Sequence, residues 1–307
     1  MAIAGGSQVG YSTPNVPETR FHLGSYQGSE AVSMLDGSHG RTTADVVVSF
    51  GRPGSGGAHD VLVDREQHDA VALWKEWNPA GDVLAVGHRT SRDTEQRMAA
   101  RWFSRHGEIE LCGSGAVALG GFLLQHAPLT IETIELKGRY HDIAVSRSGG
   151  GVKIRLPNLG FATRALEPDL ANALGVDRRV KAWVNQRLRT HIICLDRGSD
   201  LSLVQPDCGR LARVALPDLS AVIITSLQKD GSAFNFRYFT PWHGLPESPV
   251  SASANALLGP FWRARTSRVH FTAWQRSDAA PVYDLEVTGA GTWLRGDCRI
   301  VRECHDL

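Results

Sequence analysis

The chain has 307 residues, with 33 lysines and arginines against 32 aspartates and glutamates, a net charge of +1 and 42% apolar residues. That composition excludes an intrinsically disordered chain. It also speaks against a polyanion-binding surface, which usually shows a basic stripe or a pI above about 9 where this sequence has 7.8. No run approaches the roughly 18 consecutive apolar residues of a membrane span. The start, MAIAGGSQVGYSTPNVPETR, has neither the basic nor the apolar region of a signal peptide. Neither nucleic acid nor membrane is therefore an expected partner, and the expected location is cytoplasmic.

Five cysteines, Cys112, Cys194, Cys208, Cys298 and Cys304, are an odd number with no CxxC pair. They fit neither a disulfide framework nor a zinc site, so any cysteine chemistry is that of a single thiol. Twelve histidines without an HxH or HxxxH pair give no metal signature either.

In chain order, residues 1–42 are rich in Gly, Ser, Thr and Pro and form an N-terminal extension. Strands are expected at Val46–Phe50 and Val61–Val63 around the glycine-rich loop Gly51–Gly57, followed by a helix over 66–77 that contains Trp74 and Trp77. Met98–Phe103 reads as a strand, and Glu108–Leu111 alternates into Cys112-Gly-Ser-Gly-Ala116, after which Val117–Leu124 reads as a buried helix. Strands at Ile131–Leu136 and Ile143–Ser146 lead to Ser148-Gly-Gly-Gly151, where the chain breaks near its midpoint. The second half has strands at Gly151–Leu156, His191–Leu195, Ala221–Thr225 and Phe234–Phe239, a short helix from Pro168 to Gly175, and a helix from Leu257 to Trp262.

One order of features occurs twice: a strand, an Arg-aromatic-Phe triplet, an acidic residue, a turn of small residues and an apolar helix. The two occurrences are Arg101-Trp-Phe103 with Cys112-Gly-Ser114, and Arg237-Tyr-Phe239 with Ser251-Ala-Ser253. This predicts a duplicated domain, with copies at 43–150 and 151–307.

A helix N-terminus presents free N–H donors at the positive end of its dipole, so it binds carboxylates. Two such starts facing each other would hold a small-molecule carboxylate through the N–H groups of Gly113, Ser114, Ala252 and Ser253. Cys112, placed at one of them, is expected to have its pKa lowered toward neutrality and to accept or donate a proton.

The segments Leu111-Cys-Gly-Ser-Gly-Ala116, Arg237-Tyr-Phe-Thr-Pro241, Gly244-Leu-Pro-Glu247, Pro249-Val-Ser-Ala-Ser-Ala-Asn255 and Gln275-Arg-Ser277 resemble the PhzF-like phenazine-biosynthesis isomerase family. The resemblance runs from about Ala44 onward. It implies an α+β fold of the diaminopimelate epimerase kind, in which two similar β-barrel-like domains each wrap a central helix and the active site lies in the interdomain cleft. It also implies proton abstraction and return on a small amino or hydroxy acid, without metal or organic cofactor.

Several of that family's functional positions differ here. Its Asn-Leu-Ser-Glu acid/base segment aligns with Asn78-Pro-Ala-Gly81, leaving Asp82 as the nearby carboxylate, and its Gly-Asn-Pro loop aligns with Gly56-Gly-Ala58. The His of its first turn becomes Ser114 and the Asp of its Glu-Asp-Pro segment becomes Ser248, while Ser253 is kept. The first turn is closer to the epimerase pattern Cys-Gly-Asn-Gly-Ala, but the epimerase's second cysteine aligns with Ser251, which has no activating neighbour.

Loss of one thiol disfavours two-base epimerisation. It favours a double-bond shift in a small unsaturated amino acid of secondary metabolism, such as antibiotic biosynthesis, with Cys112 as proton shuttle. Two alternatives remain open: an epimerase or hydroxyproline-type dehydratase using Cys112 with Ser251 or Glu247, and a catalytically retired ligand-binding scaffold. His243, beside the second turn, is a candidate substrate contact. The N-terminal extension is a segment able to bridge the subunits of a homodimer.

Overall fold

The computed structural model describes residues 41–49, 57–64, 83–88, 96–104, 106–149 and 151–305, with side chains from Val83 to Gly296 within those ranges. The expected helix over 66–77, the loop 51–56, Asn78 to Gly81 and Asp82 lie outside the described residues, as does the extension up to residue 40. The side chains of Cys298 and Cys304 lie outside them too.

Among the described residues seventeen strands join in one continuous sheet that carries the same wiring twice. In the first copy β1 (Arg41–Ser49) pairs antiparallel with β2 (Gly57–Asp64), β2 parallel with β3 (Val83–His88), and β3 antiparallel with β4 (Arg97–Ser104). Strand β4 then takes β5 (Gly107–Ile109) as a hairpin partner and β6 (Thr133–Gly138) as a parallel one. Antiparallel β7 (Asp142–Ser148) and β8 (Gly151–Leu156) follow.

In the second copy β10 (Lys181–Asn185), β11 (Thr190–Cys194), β12 (Ala221–Leu227) and β13 (Ala233–Thr240) repeat the antiparallel, parallel, antiparallel sequence. The hairpin partner is now β14 (Leu245–Glu247) and the parallel one β15 (His270–Gln275), with β16 (Val282–Val287) and β17 (Thr292–His305) completing the set. A short β9 (Ala162–Arg164) edges β10.

In this wiring β8, expected from the sequence to open the second copy at residue 151, stands as the last strand of the first, and it pairs antiparallel with its counterpart β17 over Val152–Leu156 and Thr292–Gly296. The remainder of β17 returns to pair with β1, from Asp297 against Ser49 to His305 against Thr42. The two halves are therefore joined by sheet hydrogen bonds as well as by side chains.

Each copy sends one helix through its curl of sheet, between the hairpin strand and the next parallel strand. Helix α1 (Gly113–His126) is buried from Gly113 to Leu124 with only Gly121 less than fully covered. A helix apolar on every side belongs inside a shell, and this one has strands around it. Its small residues set the distance: a Cβ at Gly120 would lie 2.6 Å from the methyls of Val145, so the helix backbone rests directly on β7. After the short helices α2 (Pro168–Leu174) and α3 (Cys208–Leu211), the second copy's equivalent of α1 is α4 (Asn255–Thr266). Around α4, Phe234, Phe236 and Phe261 have no exposed surface, and Phe234 and Phe261 both pack on the Trp262 ring. Truncating one such ring to alanine costs about 3–5 kcal/mol.

This is the sheet-rich α+β architecture of two similar units expected from the sequence. The shared order places the start of each central helix directly after a hairpin strand, and that placement brings the two turns together.

Candidate functional site

Cys112 is the N-cap of α1 in extended conformation. Its sulfur accepts a hydrogen bond from the Gly115 N–H at 3.3 Å and lies 3.6 Å from the Ser114 hydroxyl, and the Ser114 N–H also points at it. These donors favour a thiolate. The side chain is nonetheless 6% exposed, and burial pushes the thiol pKa up by more than the donors bring it down. The expected drop toward neutrality is thus corrected: the helix start does what helix starts do, but desolvation wins. Cys112 holds its proton at neutral pH.

The second turn is a 3-10 turn, Ala252–Ala254, capped by Ser251 and running into α4. Gln275, buried on β15, clamps both ends of the approach: its Oε1 accepts from the Ser251 N–H at 2.7 Å and its Nε2 donates to the Ser248 carbonyl at 2.6 Å. The Tyr283 hydroxyl donates to the same Oε1 at 3.0 Å, and the Ser277 hydroxyl donates to the Pro249 carbonyl at 2.6 Å. Ser251 itself makes no side-chain cap bond. Asn255, fully buried at the head of α4, donates from Nδ2 to the Ala252 carbonyl at 3.2 Å, and its Oδ1 has no hydrogen-bond partner among the described residues.

The two turns meet. A Cβ built on Gly113 would stand 2.9 Å from the Ser253 nitrogen and 3.0 Å from the Ala252 Cβ, so only glycine allows this approach. Among the described residues the N–H groups of Gly113, Ala252 and Ser253 donate to no protein acceptor. Three N–H donors and one thiol are thereby gathered where two helix starts converge, which is an arrangement suited to a small carboxylate. With Cys112, Ser251 and Ala252 all buried, the turns are closed on each other.

Each turn is aimed by an identical strut. Arg101 forms a two-pronged bond to Glu108, at 3.0 and 2.9 Å, and its guanidinium lies 4.9 Å from the centre of the Phe103 ring. Arg237 does the same with Glu247, at 2.9 and 2.6 Å, also 4.9 Å from the Phe239 ring. Arg237 further donates to the carbonyls of Leu201 and Val204, at 3.2 and 2.7 Å. Both oxygens of Glu247 are engaged by this arginine, so the carboxylate sits in a brace and not at the thiol. Ser248 is likewise turned inward on its own chain, its hydroxyl donating to the Val250 carbonyl at 3.1 Å.

Other groups approach from the second half. Tyr238, half-buried on β13 at the position that Trp102 holds in the first copy, is pushed up to about 12 by burial and by the nearby Cys112, against a bond from Thr190. It is the functional-type side chain that the motifs alone do not single out. His243 ends the 3-10 turn Pro241–His243 and is exposed; burial of its ring atoms and the charges of His106 and Arg189 hold its pKa down. The next residue, Gly244, abuts the His106 ring, so the β13–β14 connection touches its β4–β5 counterpart across the halves. Arg187, at the β10–β11 tip, pairs with Glu110 at 3.2 Å and lies over the Tyr140 ring. No group of three metal-ligating side chains occurs among the described residues.

A duplicated α+β fold with facing helix starts is the plan of diaminopimelate epimerase-like proteins, and several curated relatives of this chain are named isomerases. The family described as phenazine biosynthesis-like protein matches residues 86–288, and the chain belongs to it. It is 26% identical over 241 residues to an uncharacterized isomerase of Pseudomonas aeruginosa, covering 77% of this chain and 85% of that protein. It shares its fold with a PhzF-family protein of Enterococcus faecalis, with a TM-score of 0.71 at 22% identity over 87% of this chain and 99% of the other. A hydroxyproline epimerase of Agrobacterium vitis, solved with bound trans-4-hydroxy-L-proline, has the fold more distantly, with a TM-score of 0.54 at 11% identity over 86% and 91% of the two chains.

Proposed function

We propose that the protein is a cofactor-independent isomerase that shifts a double bond in a small unsaturated amino acid of secondary metabolism, as in antibiotic biosynthesis, with Cys112 carrying the proton. The observation behind this is the meeting of the two helix starts with a thiol on one side only. The N–H groups of Gly113, Ala252 and Ser253 hold the substrate carboxylate, and Ser114 orients the sulfur.

The order of proton transfers follows from the state of the thiol. Because burial keeps Cys112 protonated, the thiol gives its proton to a nucleophilic carbon first, and the resulting thiolate then removes a proton from another carbon of the same substrate. One C–H bond forms, one breaks, and the double bond moves with no net change in the enzyme. The carbon must be basic enough to take a thiol proton, which requires an amino group conjugated with the double bond. Tyr238, kept neutral, donates a hydrogen bond to the negative charge that develops on the Cys112 sulfur.

Epimerisation would need a second base on the opposite face of the carbon. Among the described residues Ser251 has no partner that would activate it, and Glu247 is held by Arg237. The reading is tested by incubating the protein in deuterated water with candidate unsaturated amino acids. Product deuterated at carbon is expected, and a Cys112→Ala protein that still exchanges protons at the full rate would sink it.

A further inference from the structure

A cavity of about 970 Å³ opens in the second half, between the β10–β11 hairpin and the C-terminal end of α4. The paired turns sit at the other end of that helix, which at 1.5 Å per residue is about 18 Å long. The cavity is therefore separate from the site built around Cys112. Its volume is that of a pocket for a small organic ligand.

Its walls divide by chemistry. Trp183, Trp262 and Leu227 supply apolar surface, and Lys181, Arg197 and Arg265 supply positive charge. Two carboxylates also line it, but Asp177 is occupied by Arg179, at 2.6 Å. That leaves Asp196 against three cations, none of which is paired with a carboxylate among the described residues.

Arg265 is the most constrained of the three. Its guanidinium carbon stands 3.5 Å from the centre of the Phe261 ring, 4.3 Å from that of Trp183 and 5.5 Å from that of Phe161, and its Nη1 donates to the Phe261 carbonyl at 3.0 Å. Aromatic neighbours and one backbone bond thus fix the plane of the fork while the rest of its donors have no anion among the described residues. Although the residue is exposed overall, partial burial lowers its pKa, as expected for a guanidinium shielded on one side without a carboxylate beside it. A fork held in this way gives up little further side-chain freedom on binding a carboxylate in two-pronged fashion. Cys194 lines the same wall, its thiol raised to about 11 by burial.

We propose that this cavity is a second ligand site, taking an organic anion that places a carboxylate on Arg265 and a planar apolar body against Trp183 and Trp262. Lys181 and Arg197 add long-range attraction at the rim, which salt screens.

The test uses the full-length protein with 2-naphthoate as probe and 2-naphthalenemethanol as its uncharged counterpart, measured by calorimetry. The acid should bind about tenfold more tightly than the alcohol, the difference that one charge-assisted pair supplies. Arg265→Gln should abolish that preference, Arg265→Lys should retain part of it, and Lys181→Gln should weaken the acid by a few-fold. Bound naphthoate should also slow alkylation of Cys194, followed by peptide mass spectrometry in the unsubstituted protein, a readout that needs no variant to fold. Equal affinity for acid and alcohol, unchanged acid binding in Arg265→Gln, or an unprotected Cys194 would each overturn the assignment. So would loss of naphthoate binding in Cys112→Ala, which would place the probe between the paired turns.

Discussion

Replacing Gly113 by alanine tests the contact on which the site depends. The new Cβ would stand 2.9 Å from the Ser253 nitrogen, 3.0 Å from the Ala252 Cβ and 3.1 Å from the Ala252 carbonyl carbon. Carbon atoms in ordinary contact are about 3.5–4.0 Å apart, so the turns must part by about 0.5–1 Å. Neither neighbour can swing away, because Ser251 and Ser248 just upstream are clamped by Gln275 and α4 follows at once. Overpacking of this kind costs about 1–3 kcal/mol. With a urea dependence of about 1–3 kcal/mol per molar, the unfolding midpoint should drop by about 1 M. Gly160→Ala is the control, since nothing lies within 4 Å of a Cβ there. That variant should match the unsubstituted protein or gain up to about 1 kcal/mol from a stiffer unfolded chain. A displacement near 1 Å should also slow proton exchange on substrate about a hundredfold. If Gly113→Ala unfolds at the same urea concentration as Gly160→Ala and exchanges protons as fast as the parent, the turns do not meet as described.

The raised thiol of Cys112 predicts an alkylation rate that keeps climbing with pH above the ordinary thiol value near about 8.5; a plateau at or below that value would contradict it. The same shift has a consequence for stability. The unfolded chain ionises first, so above the unfolded value the native state holds more protons and stability falls as pH rises, with Cys194 and Tyr238 acting in the same direction. Urea midpoints measured upward from neutral pH should therefore decline, and less so in Cys112→Ala. Glu247→Gln should cost about 1–3 kcal/mol by leaving the mostly buried Arg237 short of its partner, whereas Glu108→Gln, beside the more exposed Arg101, should cost under about 1 kcal/mol. Denaturant titration of the pair decides it, and a Glu247→Gln protein of full stability without activity would instead make that carboxylate chemical. Tyr238→Phe should lower kcat about tenfold or more with KM little changed, as for a lost transition-state donor, and an unaltered rate would remove the residue from the mechanism.

The repeated order of Arg-aromatic-Phe, acid, small-residue turn and helix is visible in the letters because every member is needed locally: the arginine braces the acid, and the small residues start the helix. Strand β8 alternates cleanly between covered and half-covered positions, and its bounds match the expected Gly151–Leu156. Strand β16 alternates as well, but Asp284 and Glu286 face outward and Val282 is exposed, so its apolar signal is thin. Charged residues interrupt β17 at Arg295, Asp297, Arg299, Arg302 and Glu303, and its strand character comes from pairing with β16, β8 and β1 together, which no local pattern encodes. The same distinction governs the site. The position of Cys112 at a helix start is a local fact; its burial depends on a turn contributed by the other half, and burial reverses the sign of the pKa shift. Tyr238 reads as the middle aromatic of a brace, equivalent to Trp102, until the approach of the two turns sets it near the thiol.

The long β17 also constrains the order in which the molecule can be made. Residues on β1 leave the ribosome early, yet one of their sheet partners is the far end of β17, so Val46 waits for Ile300. Until β17 is made, the first barrel stands with an open seam, its strand edge exposed to other nascent chains. Closure of that seam is a late event that reports completion of the second barrel, since β17 must pair with β16 and β8 on the way. The two turns belong one to each of the halves that β17 joins, so a chain arrested before β17 has a thiol at a helix start but no finished wall to hold it.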